Sequence, residues 1–478
     1  MTTLTPIRRA PERLWTRLLG WELGGTWRFV YVTVAIVGTA LIFSRRPDAF
    51  LNPQFYGNDG PTWFADAWNH GPWANLLHQH NGYLGIWPRS VALVADYLPL
   101  TWAPAVFNFA ALVAQLAPAV LLAGPRGRGL IRSDPLRLFG VVLYFAVPNS
   151  ADMNMILSTS EWHLALLAGM VLALGPAEDR AGAGGGDMSW TADAGGDTTR
   201  TAGVHTTRTA GVGVRKATLA ADAFVVALSA LSGPYAFLLV PVALVQLFRS
   251  YKTSGVVNMT WAATMTAVTT AASICQLISL LGTPAMRHAP LGTSPHRFWH
   301  IVGGQLVIAP IIGVNHGLSW LKAPPHGIHE VASAAGIFFA VAVMVKGGPR
   351  HRLLATFALM VLTASLLSPA PYVDGNVPAW QAFGLAGWGL SYWFIPTVVE
   401  LWLLLALLEK VKMPARAVIA ALLAAVCLIA VPGDWTYPKF INFHYGHDAA
   451  RLNKMPPHQS LTFPENPRPY HYFTLFSR

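Results

Sequence analysis

Carboxylates are sparse in this chain, and one of them stands where it could do acid–base chemistry. Asp59 lies in FYGNDGPTWFADAW, residues 55–68, and Asp66 follows seven positions later. Asn58-Asp59-Gly60-Pro61 is turn chemistry, and Pro61 suits the first turn of a helix. Local chemistry leaves Asp59 two roles: a helix cap, or a base that takes a proton from a hydroxyl. Asp66, on the amphipathic helix that follows, reads as a solvated residue. Arg89, later in the same loop, offers a cation to a phosphate. Asp152, Glu161, His163, Glu400 and Glu409 lie in or beside apolar runs, where ionisable groups are costly and point to function. Glu161 opens such a run, so a favourable charge at a helix N-terminus is the competing account. Glu409, next to Lys410, reads as solvated.

The elements that must position these groups are membrane helices. The chain has 478 residues, 53% hydrophobic and 12% charged, with mean hydropathy +0.42, whereas soluble domains carry roughly 25% charged residues. Apolar runs recur along the whole length, which predicts an all-α, polytopic membrane protein. Eleven spans are expected, at 28–46, 99–123, 136–148, 161–175, 218–232, 234–249, 255–281, 330–346, 352–368, 391–410 and 416–431. The polar, Arg-bearing N-terminus and the absence of a small-residue cleavage site make the first span a retained anchor. Runs 136–148 and 218–232 are short for a crossing and end at VPNS and SGPY, so broken or tilted helices are expected there. Residues 301–316 read as a re-entrant helix. Cys275 and Cys427 lie inside apolar runs and read as buried small apolar side chains.

Charge sets the orientation. With the N-terminus cytoplasmic, the inner segments and their boundary cations hold 22 of the 33 Lys and Arg, and the short inner loops GPRGRGLIRSDPLR, FRSYK, KGGPRHR and EKVKMPAR are dense in them. The positive-inside rule therefore predicts N-in, C-out in the plasma membrane. It also accounts for most of the net charge of +11 without nucleic acid as a partner. The chain divides into a membrane half at 1–175 carrying a first outer loop at 47–98, a cytoplasmic linker at 176–217, a second membrane half at 218–431 and an outer tail at 432–478. The linker repeats TTRTAGV at 198–204 and 206–212 and lacks large apolar residues, so disorder is expected. The tail is expected to pack as a cap on the outer face.

All but His205 and His351 of the 16 histidines fall on the predicted outer side. Imidazoles and cations around a cavity would suit a phosphate leaving group. HQH (His78, His80) and HGIH (His326, His329) lack a recognised metal-ligand pattern, so neither metal nor cofactor is expected.

The stretch FYGNDGPTWFADAWNHGPWANLLHQHNGYLGIWPRSVALVADYLPL resembles the first outer loop of bacterial C-type (GT-C) polytopic glycosyltransferases. The family pattern is an aromatic, an acidic pair before Gly, an amphipathic helix, then Gly-Tyr and a Pro-Arg pair; Asn58-Asp59, Gly82-Tyr83 and Pro88-Arg89 match it. STSEWHLAL (158–166), SGPYAFLLVPVAL (232–244), LSYWFIP (390–396) and FPENP (463–467) are looser matches. The chain departs from the pattern in having Asn58 where the first acid stands, and Ser391-Tyr392 where Arg-Tyr is common.

The resemblance implies inverting transfer of a sugar from a polyprenyl-phosphate donor to a cell-envelope glycan or glycolipid acceptor on the extracytoplasmic face. Asp59 would be the lone general base. Arg89, Arg297, Lys322, His316 and Tyr392 would meet the donor phosphate. Asn58, Glu161, His163, Trp63, Tyr83 and His80 would contact sugar or acceptor. Ala- and Gly-rich usage suits a high-GC genome, for which arabinofuranose or mannose is the expected sugar. The alternatives are a lipid-linked sugar transporter or flippase, which would be built from internal repeats, and a non-catalytic envelope assembly subunit.

Overall fold

A computed structural model describes residues 27–176, 204–253, 256–282, 290–315, 327–369, 377–384, 389–467 and 471–478. Each of the eleven apolar runs is helical: α1 (Trp27–Arg45), α2 (Ala103–Ala123), α3 (Asp134–Ala146), α4 (Ser160–Leu174), α5 (Val204–Ala230), α6 (Ala236–Thr253), α7 (Val256–Leu281), α8 (Ile328–Lys346), α9 (Pro349–Leu367), α10 (Leu390–Leu408) and α11 (Ala415–Ala425, continued by wider turns to Gly433). Among the described residues seven helices are long and apolar enough to cross a membrane: α1, α2 with its leading turn, α7 to α10, and α11 with its continuation. The other four have 13, 15, 27 and 18 residues. The protein is thus an all-α, membrane-type fold, and among the described residues strand is confined to two short hairpins, the first pairing β1 (Gln79–His80) with β2 (Tyr83–Leu84).

Chain chemistry fixes the ends. Helix α3 stops where Val147-Pro148 turns the chain away, because the residue before Pro is driven out of the helical region. Glu409, read as solvated, instead accepts the N–H groups of Arg132 (3.2 Å) and Ser133 (2.6 Å) just before α3, donors that lack partners at a helix start. Helix α5 begins at Val204, inside the segment read as a linker; residues 177–203 of that segment lie outside the described residues. Residues 301–312 continue the helix Pro295–Ile301 through a wider-turned stretch and pack along α8. Cys275 is exposed rather than buried, and Cys427 half-buried.

The loops sort to two ends, as alternation of spans requires. At one end Arg126 pairs with Asp222 (2.7 Å), Arg128 and Arg137 both pair with Asp134 (2.6 Å each), and His351 meets the Leu130 carbonyl (2.9 Å). At the other end the loop after α1 meets the 149–159 loop, the 232–235 turn and the C-terminal tail. Arg45, 1% exposed, donates there to the carbonyls of Phe145, Val147, Asp434 and Trp435. Satisfied this way, a buried guanidinium ties α1, α3 and the tail together.

The described residues of the tail pack on the first loop. Helix Tyr445–Leu452 precedes the hairpin β3 (Ser460–Pro464) and β4 (Tyr472–Phe476), which pair antiparallel from Ser460–Phe476 to Pro464–Tyr472. The hairpin lies on the first loop: Trp68 Nε1 donates to the Phe476 carbonyl and Asn69 Nδ2 to that of Thr474, both at 2.8 Å. Beneath it Phe55 packs against Phe64, Phe107, Tyr445 and Phe473 at ring separations of 5.0–5.5 Å. This aromatic cluster is a second core, separate from that of the helices.

Candidate functional site

Asp59 starts a turn of wide helix, Asp59–Phe64, and has no exposed surface. Its Oδ1 accepts the Ser158 N–H at 2.7 Å and its Oδ2 the Leu157 N–H at 3.2 Å. Both donors lie in the loop ahead of α4, outside the helix, so Asp59 caps neither α4 nor the turn it opens; it ties the first loop to the 149–159 loop across 98 residues of sequence. Removal from water pushes the carboxyl up from its usual 3.8 to about 7; the N–H groups of Ser158 and Leu157 act against that rise.

Asp59 is not alone. Glu465, in FPENP of the tail, is 1% exposed, and its Oε1 accepts the Gly60 N–H at 2.9 Å. Burial, reinforced by the charge of Asp59, holds its carboxyl well above the usual range. A side chain at position 60 would stand 2.6 Å from the Phe473 ring and 3.1 Å from Glu465 Oε2, so only Gly lets tail and loop close to this distance.

The loop that Asp59 grips is fixed from all sides. Tyr56 donates to Asp152 (3.0 Å), Arg46 to the Asn154 carbonyl (3.0 Å), and Asn154 to the Tyr437 hydroxyl (2.6 Å). Asp152 thus has a structural partner.

One turn beyond Ser158, Glu161 meets a second group of predicted residues. Tyr83, Glu161 and Tyr392 come together, with Tyr235 and Trp162 alongside. Tyr83, Glu161 and Tyr392 are half-buried. Gly233 lets the 232–235 turn approach them: a side chain there would fall 2.8 Å from the Tyr235 ring and 2.9 Å from Glu161 Oε2. Burial, with Glu161 and Tyr392 adding to it, holds the Tyr83 phenol well above its usual value.

The remaining candidates are placed differently from expectation. Arg89 is 2% exposed; it lies over the Trp63 ring at 5.1 Å and pairs with Asp66 at 3.4 Å. Asp66 is therefore an ion-pair partner, also reached by His78 at 3.5 Å, with its side chain still 25% exposed. Trp63, 2% exposed, is enclosed between Arg89, His80 and Gly85, which leaves it no face for a sugar. His80 stands edge-on to Trp63; burial and the Arg89 charge, opposed by Asp66, take it down to about 4, so it is neutral. His163 has both ring nitrogens engaged, Nδ1 with the Tyr144 hydroxyl and Nε2 with the Met153 carbonyl, each at 2.7 Å; it is a core residue with nothing left for a ligand. Arg297 donates to Gly292 O (2.7 Å) and Gln381 Oε1 (3.1 Å), bracing its own loop. Asn58 is exposed. His316 and Lys322 lie outside the described residues.

Glu465, Tyr235 and Asp66 are the site residues that sequence reasoning missed. FPENP had carried a looser signal for Glu465, but nothing local ties it to Gly60. Among the described residues no group of three or more His, Cys, Asp or Glu is placed to hold a metal ion. An open cleft of about 330 Å³, lined by Asn52, Gln54, Thr101, Asn442, His444 and His447 among others, lies beside the aromatic cluster. The chain matches no protein-family model, no curated protein and no solved structure.

Proposed function

We propose that this chain is an inverting membrane glycosyltransferase of the C type, with eleven spans, N-in and C-out, acting at the extracytoplasmic face. The observation that carries the reading is Asp59: a carboxyl on the loop after the first span, removed from water and brought to about 7. A base is most effective when its pKa lies near the working pH.

In the proposed reaction Asp59 takes the proton of an acceptor hydroxyl. The hydroxyl oxygen bonds to the anomeric carbon of a polyprenyl-phosphate sugar, arabinofuranose or mannose, from the face opposite the phosphate. The bond from that carbon to the phosphate oxygen breaks, and the lipid phosphate leaves with the electron pair. Tyr83, Glu161 and Tyr392, brought together beside α4, would form the wall that holds the sugar hydroxyls. Arg89 meets the phosphate by exchanging its bond to Asp66. Because Asp59 is fully enclosed, an acceptor must displace part of the first loop or of the tail over it.

The test is sugar transfer by purified protein in detergent, with synthetic polyprenyl-phosphate sugars. Transfer by wild type and its loss in Asp59→Asn support the reading. Equal transfer by both removes Asp59 as the base, and no transfer from any donor refutes the enzymatic reading.

A further inference from the structure

Glu465 reaches Asp59 from the far end of the chain. Its Oε1 takes the Gly60 N–H, while its Oε2 is buried with no hydrogen-bond partner. That Oε2 lies against the turn that Asp59 opens, 3.1 Å from where a Gly60 side chain would begin. Among the described residues no Lys, Arg or His forms an ion pair with either carboxyl. The groups facing the pair are the N–H of Gly60 from the first loop, the N–H groups of Leu157 and Ser158 and the Ser158 hydroxyl ahead of α4, and the Phe473 ring from β4. His471 touches Glu465 through its backbone carbonyl (3.0 Å).

Two carboxyls shut away from water without a cation cannot both be charged, because each charge lacks solvation and repels the other. One proton must stay. Asp59 receives two N–H donors and the Ser158 hydroxyl, each favouring its ionised form. Glu465 receives one and has an oxygen to which nothing donates. The charge therefore belongs on Asp59 and the proton on Glu465.

We propose that Glu465 is a positioning residue for Asp59: held as the neutral acid at working pH, it keeps the pair at a single negative charge and fixes the turn through Gly60. As a statement about the base, this rests on the reading of Asp59 given above; as a statement about protonation, it does not. Burial and the Asp59 charge both act to keep the Glu465 proton in place. Loss of that proton at high pH would put a second, unsolvated charge beside the base and end activity on the alkaline side.

Infrared difference spectra of the purified protein at pH 8 test the protonation without any assay of transfer. Subtracting the Glu465→Gln spectrum from wild type should leave a neutral carboxyl C=O band; a carboxylate band in its place overturns the proposal. Asp59→Asn gives an independent measurement should the Gln variant fail to fold. With its neighbour uncharged, the pH at which the Glu465 band disappears should fall by about 1–3, and an unchanged midpoint overturns the pairing. In transfer assays Glu465→Gln should keep wild-type activity at pH 7 and lose the alkaline decline. Glu465→Leu, which leaves the Gly60 N–H unpaired, should lose activity at least tenfold; equal activity in both variants overturns the positioning role. A neutral band in a protein with no transferase activity sinks the glycosyltransferase and leaves the pair standing.

Discussion

Replacing Asp59 by Asn should make the protein more stable at pH 8 while removing its activity. The folded state holds the carboxyl proton to about pH 7, whereas the usual value is 3.8. Between those limits the unfolded chain has lost the proton and the folded protein keeps it, so stability falls as pH rises from 3.8 to about 7 and is level above. The gap amounts to about 4 kcal/mol at neutral pH. Asn is uncharged at every pH and escapes it. Its oxygen can still accept the Ser158 N–H, the shorter of the two bonds at 2.7 Å, but its NH2 must face the Leu157 N–H. An unsatisfied buried donor costs about 1–3 kcal/mol, leaving a net gain of about 1–3 kcal/mol at pH 8. Melting curves of both proteins in detergent at pH 5 and pH 8 read this directly. The Asn variant should melt higher at pH 8, by a margin that shrinks at pH 5. Transfer should fall by about 10²–10⁴-fold, the contribution of a positioned base. A variant that melts below wild type by the same interval at both pH values shows that the carboxyl is not desolvated and defeats the reasoning. So does a variant that transfers sugar at the wild-type rate.

Other residues yield separable outcomes. Gly60→Ala places a methyl against Phe473 and Glu465; overpacking there should lower stability by about 1–3 kcal/mol and abolish transfer, read by melting and by the transfer assay. His163→Leu leaves the Met153 carbonyl without its imidazole partner, while the Tyr144 hydroxyl keeps the Gln115 carbonyl; stability should fall by about 1–3 kcal/mol with KM unchanged for donor and acceptor. Asp66→Asn should weaken the hold on Arg89 and alter KM for the donor with kcat preserved. In a double-mutant cycle with Arg89→Met the two residues should show a coupling of about 0.5–3 kcal/mol. Glu161→Gln keeps the shape of the side chain, so the melt should hold while KM for the sugar substrates rises.

The sequence made the helices legible because each apolar run can satisfy its backbone only internally, and every run became a helix. The gathering of basic connections at one end was legible for a related reason: Arg126, Arg128 and Arg132 lie in one short Arg-rich connection, and Arg350, in the first turn of α9, stands against Gly129 of it. What escaped notice depends on contacts with no local signature. Gly60 and Glu465 are 405 positions apart, and neither residue's neighbours announce the other. Type alone misled for His163 and Trp63. A polar or aromatic residue near a membrane boundary reads the same whether it lines a cavity or, like His163, spends both nitrogens on Tyr144 and Met153. Asp66 misled in the opposite direction, because its partner Arg89 lies 23 positions on, beyond the reach of helical periodicity.

Enclosure and basicity at Asp59 have one cause, and this constrains the order of events. The carboxyl reaches about 7 because water is absent. If the β3–β4 hairpin lifted from Trp68 and Asn69 and water entered, the carboxyl would relax toward its usual 3.8 and become a weaker base. An open site would therefore bind an acceptor and be unable to activate it. On the proposed reading, proton transfer would belong to a reclosed state in which the acceptor hydroxyl, and not solvent, occupies the space beside Asp59. The hydrogen bonds from Trp68 and Asn69 to β4 then act as the closing latch. Trp68→Phe, which deletes the donor to the Phe476 carbonyl, should shift the acid limb of the pH–rate profile to lower pH as the site spends more time hydrated. It should lower kcat more than it raises KM. An acid limb that stays in place while kcat falls would separate closure from basicity and leave the hairpin a purely structural cover.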